Sequence, residues 1–104
     1  MKTDYQIVIQ WDNESIADFD SFIGIEDLLY EKLPARHVVD GHDAGCGELN
    51  IFILTDSPQA AFVDIEAVLD AQPYWQDARV AYRKLLSDHF VVCWPDGLAT
   101  FSIK

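Results

Sequence analysis

The stretch VVDGHDAGCGELNIFIL, residues 38–54, decides the fold, because it holds two predicted strands with no helix between them. One strand is predicted at 37–40, and a stronger one at 48–55, where apolar residues predominate. The three glycines between these strands predict a wide hairpin turn or a β-bulge that joins antiparallel neighbours. The centre of the chain is therefore predicted to be a strand pair.

A helix is predicted on each side of this strand pair. The first helix begins at an Asp18 or Asp20 cap and ends before Pro34, since acidic residues favour the first turn. The second begins at 56–58, where an aspartate or serine cap precedes a proline, and it stops near Pro73. Both helices carry apolar residues at helical spacing, which predicts that each buries one side.

Further strands are predicted at both ends of the chain. Residues 5–11 show a period of two, residues 79–83 and 90–94 are each predicted to be a strand, and residues 98–103 are a candidate closing strand. The order strand, helix, strand, strand, helix, strand over residues 4–94 resembles the ferredoxin-like (split βαβ) architecture. The resemblance implies an α+β, ferredoxin-like βαββαβ sandwich with two helices on one face of an antiparallel sheet and a C-terminal strand or hairpin appended. It implies no function, because this fold hosts many unrelated activities.

Composition predicts one acidic globular domain, residues 1–104. Half of the residues are hydrophobic, and 18 acidic residues against 7 basic ones give a net charge of -11. Such a field repels phosphate, so we expect neither nucleic acid nor an anionic membrane surface as a partner, whereas a basic protein is compatible. No apolar run has the length of a membrane span and the N-terminus lacks a signal-peptide pattern, which predicts a cytoplasmic protein.

Three chemical hypotheses apply to the glycine-rich segment. In the first, Cys46 is a nucleophile with His42 as its base and Asp43 orienting the histidine. In the second the segment holds a metal, but no second ligand pair exists, so we predict neither a metal nor a cofactor. In the third the glycines hold an anion, which the neighbouring acids disfavour.

A turn explains the segment better than these chemistries do. Positive φ values at glycines would close the hairpin, and His42 and Asp43 would bond the loop to itself. Three glycines nevertheless exceed the need of one tight turn. This surplus predicts that Gly41, Gly45 and Gly47 closely approach the sheet, a second subunit or a small-molecule ligand.

The sheet face opposite the helices is predicted to be open. There, Phe52, Leu54 and Val8 would form an apolar patch suited to a homodimer, unless the C-terminal strand or a loop covers them. Other candidate binding residues fall into two pairs, each with an alternative. Arg79 and Arg83 either bind a carboxylate ligand or, as we favour, neutralise acids on the sheet. Tyr74 and Trp75 are either an exposed anchor for a partner or, more commonly, a lid on the helix.

These observations favour a small acidic, non-catalytic binding or regulatory module that acts through protein–protein contact, including self-association. Two alternatives stay open. One is a small enzyme or ligand-binding domain that uses Cys46 and His42. The other is an acidic inhibitor or immunity-type protein whose carboxylates mimic the phosphates bound by a basic enzyme.

Overall fold

Five antiparallel strands and two α-helices make up the fold in the computed structural model, which describes residues 4–103. The two ends of the predicted domain, residues 1–3 and 104, lie outside the described residues. In chain order the elements are β1 (Tyr5–Asp12), α1 (Phe19–Lys32), β2 (Val38–Gly45), β3 (Glu48–Thr55), α2 (Pro58–Leu69), β4 (Arg79–Lys84) and β5 (Val91–Trp94), with 3₁₀ turns at Asn13–Ser15 and Pro73–Asp77.

The strands form one sheet in the order β2-β3-β1-β4-β5, with every neighbouring pair antiparallel. The predicted class is confirmed, because the chain is α+β and two helices pack on an antiparallel sheet. The sheet has a fifth strand, β5, which lies beside β4.

The two helix starts follow their local sequence signals. Asp18 caps α1, and its Oδ1 accepts the Ser21 backbone N–H at 2.7 Å, which lowers the pKa of the Asp18 carboxyl. Ser57 caps α2, and Pro58 occupies the first turn, where its missing N–H costs no hydrogen bond. Helix α1 ends before Pro34 as predicted, whereas α2 ends at Leu69 and a 3₁₀ turn follows.

One side of the sheet forms the main core with the helices. The period-two pattern of β1 directs Ile7, Ile9 and Trp11 toward the helices, and all three are fully buried. The apolar stripes of α1 and α2 supply the other wall, through side chains such as Phe22 and Ile65. Packing on this side fixes the register of the central strands, since a one-residue slip would move these side chains to the opposite face of the sheet.

The opposite sheet face is covered by residues 95–103, which we call the C-terminal strap. Val8 and Ala81 are fully buried on this face, and Gln10 Nε2 donates to the Ser102 carbonyl at 3.0 Å. The prediction of an open face is therefore wrong, and its stated alternative of a covering segment is correct. The predicted closing strand at 98–103 is also wrong, because this part of the strap is irregular.

The helices within residues 4–103 are too short and too polar to cross a lipid bilayer.

Candidate functional site

The glycine-rich segment is strand, bulge and tight turn instead of a wide loop. β2 runs through it to Gly45, and its register with β3 shifts between Val39 and Gly41, where φ is +114°. The turn consists of Cys46 and Gly47, whose φ values of +54° and +79° suit a two-residue hairpin. The bulge explains the glycine that a tight turn alone does not need.

The glycines do not lie close against another part of the chain. A Cβ atom added at Gly41, Gly45 or Gly47 would meet nothing within 4 Å among the described residues. The predicted close approach to the sheet is therefore wrong. Approach to a second subunit or to a ligand stays a prediction.

The structure does not bring the three candidate catalytic residues together. His42 lies opposite Ile51 on the helix side of the sheet, so Asp43, the next residue, lies on the other side. The strand rises by roughly 10 Å between His42 and Gly45, and Cys46 lies beyond it, exposed in the turn. The side-chain hydrogen bonds of His42 go to Glu26, so this histidine is oriented by α1 and not by its own loop.

His42 and Glu26 form a partly buried pair between β2 and α1. Nδ1 of His42 lies 3.0 and 3.1 Å from the two Glu26 carboxylate oxygens. The Glu26 side chain is only 8% exposed, whereas the His42 side chain is 34% exposed. The imidazole also packs edge-on against Phe19 and Phe22, with ring centroids 5.9 and 5.6 Å away. This arrangement fixes the position of β2 against the helix.

A second histidine, His37, is buried in a network that the sequence analysis missed. Its side chain is fully buried, with Nε2 at 2.7 Å from Asp64 Oδ2 and Nδ1 at 2.9 Å from Thr55 Oγ1. Arg36 Nε also lies 3.2 Å from Nε2, but one nitrogen cannot both donate and accept. We assign donation to Asp64, because that contact is shorter and charge-assisted.

This network ties the start of β2 to α2 and to the end of β3. Hydrogen bonds from Arg36, then from His37, lower the pKa of the Asp64 carboxyl. The Thr55 oxygen also accepts the Ser57 backbone N–H at 3.0 Å, so one hydroxyl serves both the histidine and the α2 cap. Thr55 is fully buried, so its hydroxyl is not an accessible nucleophile. His37, Thr55 and Asp64 therefore form a structural hydrogen-bond network.

The two candidate arginines bind groups of the chain itself. Arg79 donates to Gln10 Oε1 at 2.8 Å and to Asp12 Oδ1 at 2.9 Å, which agrees with the favoured interpretation of charge neutralisation on the sheet. Arg83 donates to Gln6 Oε1 and to backbone carbonyls of Leu85 and Ser87, all within 3.0 Å. The second arginine therefore holds the turn after β4.

The candidate aromatic residues pack inward to different degrees. Trp75 is buried and stacks on Trp94, with centroids 5.5 Å apart and planes 15° apart. Tyr74 is half-buried against Trp11, and burial raises the pKa of its hydroxyl. Phe52 is half-buried on the face that carries the strap. The Trp75 ring also lies 6.4 Å from that of Phe62 in α2, which agrees with the interpretation of Trp75 as a lid on the helix.

The two cysteines differ in environment. Cys46 is exposed, whereas Cys93 packs against the core, and burial raises the pKa of the Cys93 thiol to about 11. Within residues 4–103, no group of three histidine, cysteine or carboxylate side chains is placed to hold a metal ion.

The outer side of α1 carries exposed aromatic and acidic side chains together. Phe19 and Tyr30 are 52% and 58% exposed, and at about 100° per residue they lie within about 20° of each other around the helix. Beside them lie three exposed carboxylates, which make no ion pair among the described residues. We call this surface the acidic face; it consists of Phe19, Tyr30, Asp20, Asp27 and Glu31.

No family model matches this chain, and no curated protein or solved structure is significantly similar to it.

Proposed function

We propose that this protein is a small acidic, non-catalytic binding module whose partner is a protein with a basic surface. The observation that carries the proposal is the acidic face of α1. Phe19 and Tyr30 leave more than half of their surface in water, although large apolar side chains are normally buried. Here the carboxylates lie to one side of the two aromatic side chains, and exposed aromatic side chains are frequent anchors of protein–protein contacts.

The negative charge of the acidic face indicates that the surface of the proposed partner is positively charged. The only basic side chain on α1 is Lys32, while Asp20, Asp27 and Glu31 lie within about 40° of each other around the helix. A basic surface would be steered toward such a cluster, and the aromatic rings would supply the desolvated centre of the contact. An inhibitor of a basic enzyme is a special case of this function, since its carboxylates would occupy the positions of substrate phosphates.

The proposal differs from self-association, which stays a prediction. Val8 and Ala81, on the face on which a sheet-to-sheet dimer would form, are already fully buried within one chain, and Gln10 on that face bonds the strap. Contact between two copies of the acidic face would also bring like charges together, which is unfavourable.

We also propose that β1 to β4 with the two helices form a ferredoxin-like core. The order β2-β3-β1-β4 supports this, because each helix then connects two strands that have one other strand between them. In this proposal β5 and the strap are additions at one edge and on one face.

The test is affinity capture from a cell extract with two charge variants of the protein. The first, Asp20→Asn/Asp27→Asn/Glu31→Gln, removes three charges from the acidic face. The matched control, Asp70→Asn/Asp88→Asn/Asp96→Asn, removes three exposed charges elsewhere. We expect basic proteins that the wild type retains to be lost with the first variant and kept with the control. Equal loss with both variants would show that only net charge matters.

A further inference from the structure

The outer edge of β2 is available for pairing with another strand. β2 is the terminal strand of the sheet, and within residues 4–103 it pairs only with β3. Residues 42–45 are exposed, including Ala44, whose side chain lies on the helix side of the sheet. The end of the β2–β3 hairpin therefore extends beyond the cover of α1.

The register identifies the backbone groups that point outward. The tight turn is flanked by the pair Gly45 and Glu48, and in a two-residue hairpin the flanking pair exchanges both hydrogen bonds. Hydrogen-bonded pairs then alternate along the strand, so Asp43 also bonds toward β3. The N–H and C=O groups of His42 and Ala44 consequently face the free edge.

The bulge sets the length of the available edge. The register shift at Gly41 breaks the regular pairing, so the straight part of the edge covers only residues 41–45. A long incoming strand would meet this irregularity, which is how natural sheets limit pairing between their edges. A short extended segment fits the available length.

Charge selects the occupant of the edge. Asp43 lies on the straight edge and Asp40 lies at the bulge, and the sequence has no lysine or arginine between Arg36 and Arg79. A second copy paired antiparallel through this edge would bring equivalent carboxylates together, which is destabilising. A segment with lysine or arginine opposite these aspartates would gain attraction in the same geometry.

We propose that the edge of β2 binds a short, extended, basic segment of a partner protein as a sixth strand of the sheet. Backbone hydrogen bonds to His42 and Ala44 would give this contact its geometry, and Asp43 would select the basic side chains. The inference rests on the proposed function, because it names the way in which a basic partner engages this side of the molecule. Phe19, whose ring contacts His42, connects the edge to the acidic face.

The test uses a labelled peptide of alternating lysine and valine as the probe, with binding followed by fluorescence anisotropy. Ala44→Pro removes the outward N–H and no internal hydrogen bond, and proline is tolerated on edge strands. Ala44→Ser is the matched control. We expect Ala44→Pro to weaken binding by about fivefold and Ala44→Ser by less than about twofold, because one lost backbone hydrogen bond has an effect of this order.

A second probe keeps the test decisive if Ala44→Pro unfolds the protein. The same peptide with N-methyl groups on its valines keeps its charge, but the valine backbone nitrogens, which lie along one edge of the extended peptide, can no longer donate hydrogen bonds. We expect the wild-type protein to bind the methylated peptide about tenfold more weakly. Equal affinity for both peptides would overturn strand addition.

The acidic-face variant separates this inference from the proposed function. If that variant loses the peptide while methylation and Ala44→Pro change nothing, the binding module stands and strand addition falls. If the acidic-face variant and its matched control lose the peptide equally, the proposed function itself falls. If the wild-type protein is a dimer in the absence of peptide and the Ala44→Pro variant is a monomer, the occupant of the edge is a second copy of the chain. That result would overturn the proposal of a basic segment.

Discussion

The pair formed by His42 and Glu26 gives the sharpest test of the account of the glycine-rich segment. The change is His42→Ala, measured in the wild type and in a Glu26→Leu background. In the wild-type background the substitution leaves a carboxylate that is 8% exposed without its partner. An unsatisfied buried polar group costs about 1–3 kcal/mol, and a charged one more.

The expected size follows from the exposure of the pair. His42 is one-third exposed, so water can partly replace it, and we expect a loss of about 2–3 kcal/mol. In the Glu26→Leu background no acceptor faces His42, so the remaining loss is that of the ring contacts with Phe19 and Phe22, about 1 kcal/mol. The coupling free energy is therefore at least about 1 kcal/mol, within the usual range for residues in contact.

The assay is equilibrium urea unfolding of the four proteins of this cycle, compared at a common m value. In a separate thermal scan, His42→Ala in the wild-type background should lower the melting temperature by roughly 10–20 °C, since 1 kcal/mol corresponds to about 4–8 °C in a domain of this size. A coupling below about 0.5 kcal/mol would refute the reasoning. His42 would then not be held by Glu26, and its assignment as a structural residue would fail.

Three further predictions concern the hydrogen-bond network of His37, Thr55 and Asp64 and the two cysteines. Thr55→Val should lower the free energy of unfolding by about 2–4 kcal/mol and Thr55→Ser by about 1 kcal/mol. Only the valine leaves His37 Nδ1 and the Ser57 N–H without the hydroxyl that they contact. Equal losses for the two variants in urea unfolding would contradict this prediction. The pKa of Asp64 is lower in the folded than in the unfolded protein, so its stabilisation is complete above the unfolded value of about 3.9 and is lost as the pH falls through the folded value. The loss of stability caused by Asp64→Asn should therefore be largest near neutral pH and shrink as the pH falls below about 3.9, as unfolding at several pH values would measure. Cys46 is exposed and should be alkylated much faster than Cys93, whose thiol pKa is about 11, as mass spectrometry would measure. His42→Ala should leave the alkylation rate of Cys46 unchanged. A slower rate in that variant would support the catalytic hypothesis.

The features predictable from sequence are those that a few neighbouring residues determine. The Asp18 and Ser57 caps were predictable because each side chain bonds a backbone N–H three residues further on. The alternation in β1 predicted the face that Ile7 and Ile9 bury, since strand side chains alternate strictly. The element order and the α+β class follow from these local signals.

The candidate site was harder to predict, because its contacts join distant parts of the chain. His42 meets Glu26 of α1, and His37 meets Thr55 and Asp64, which belong to two other elements. A single sequence contains no signal for such pairs. The strap alternates apolar and polar residues over 99–103, which favoured a strand, yet it is irregular and bonds the sheet through isolated contacts such as that of Ser102. One signal was present, since a surplus glycine beside a predicted turn is typical of a bulge.

The most direct test of the central claim is amide chemical-shift mapping of the labelled protein during titration with the alternating lysine–valine peptide. The account predicts that the shifts concentrate in α1 and in residues 41–45 of β2, with Asp27 and Ala44 among the largest, and that they weaken with salt. Shifts centred on β4 and β5, or spread evenly over the molecule, would contradict it.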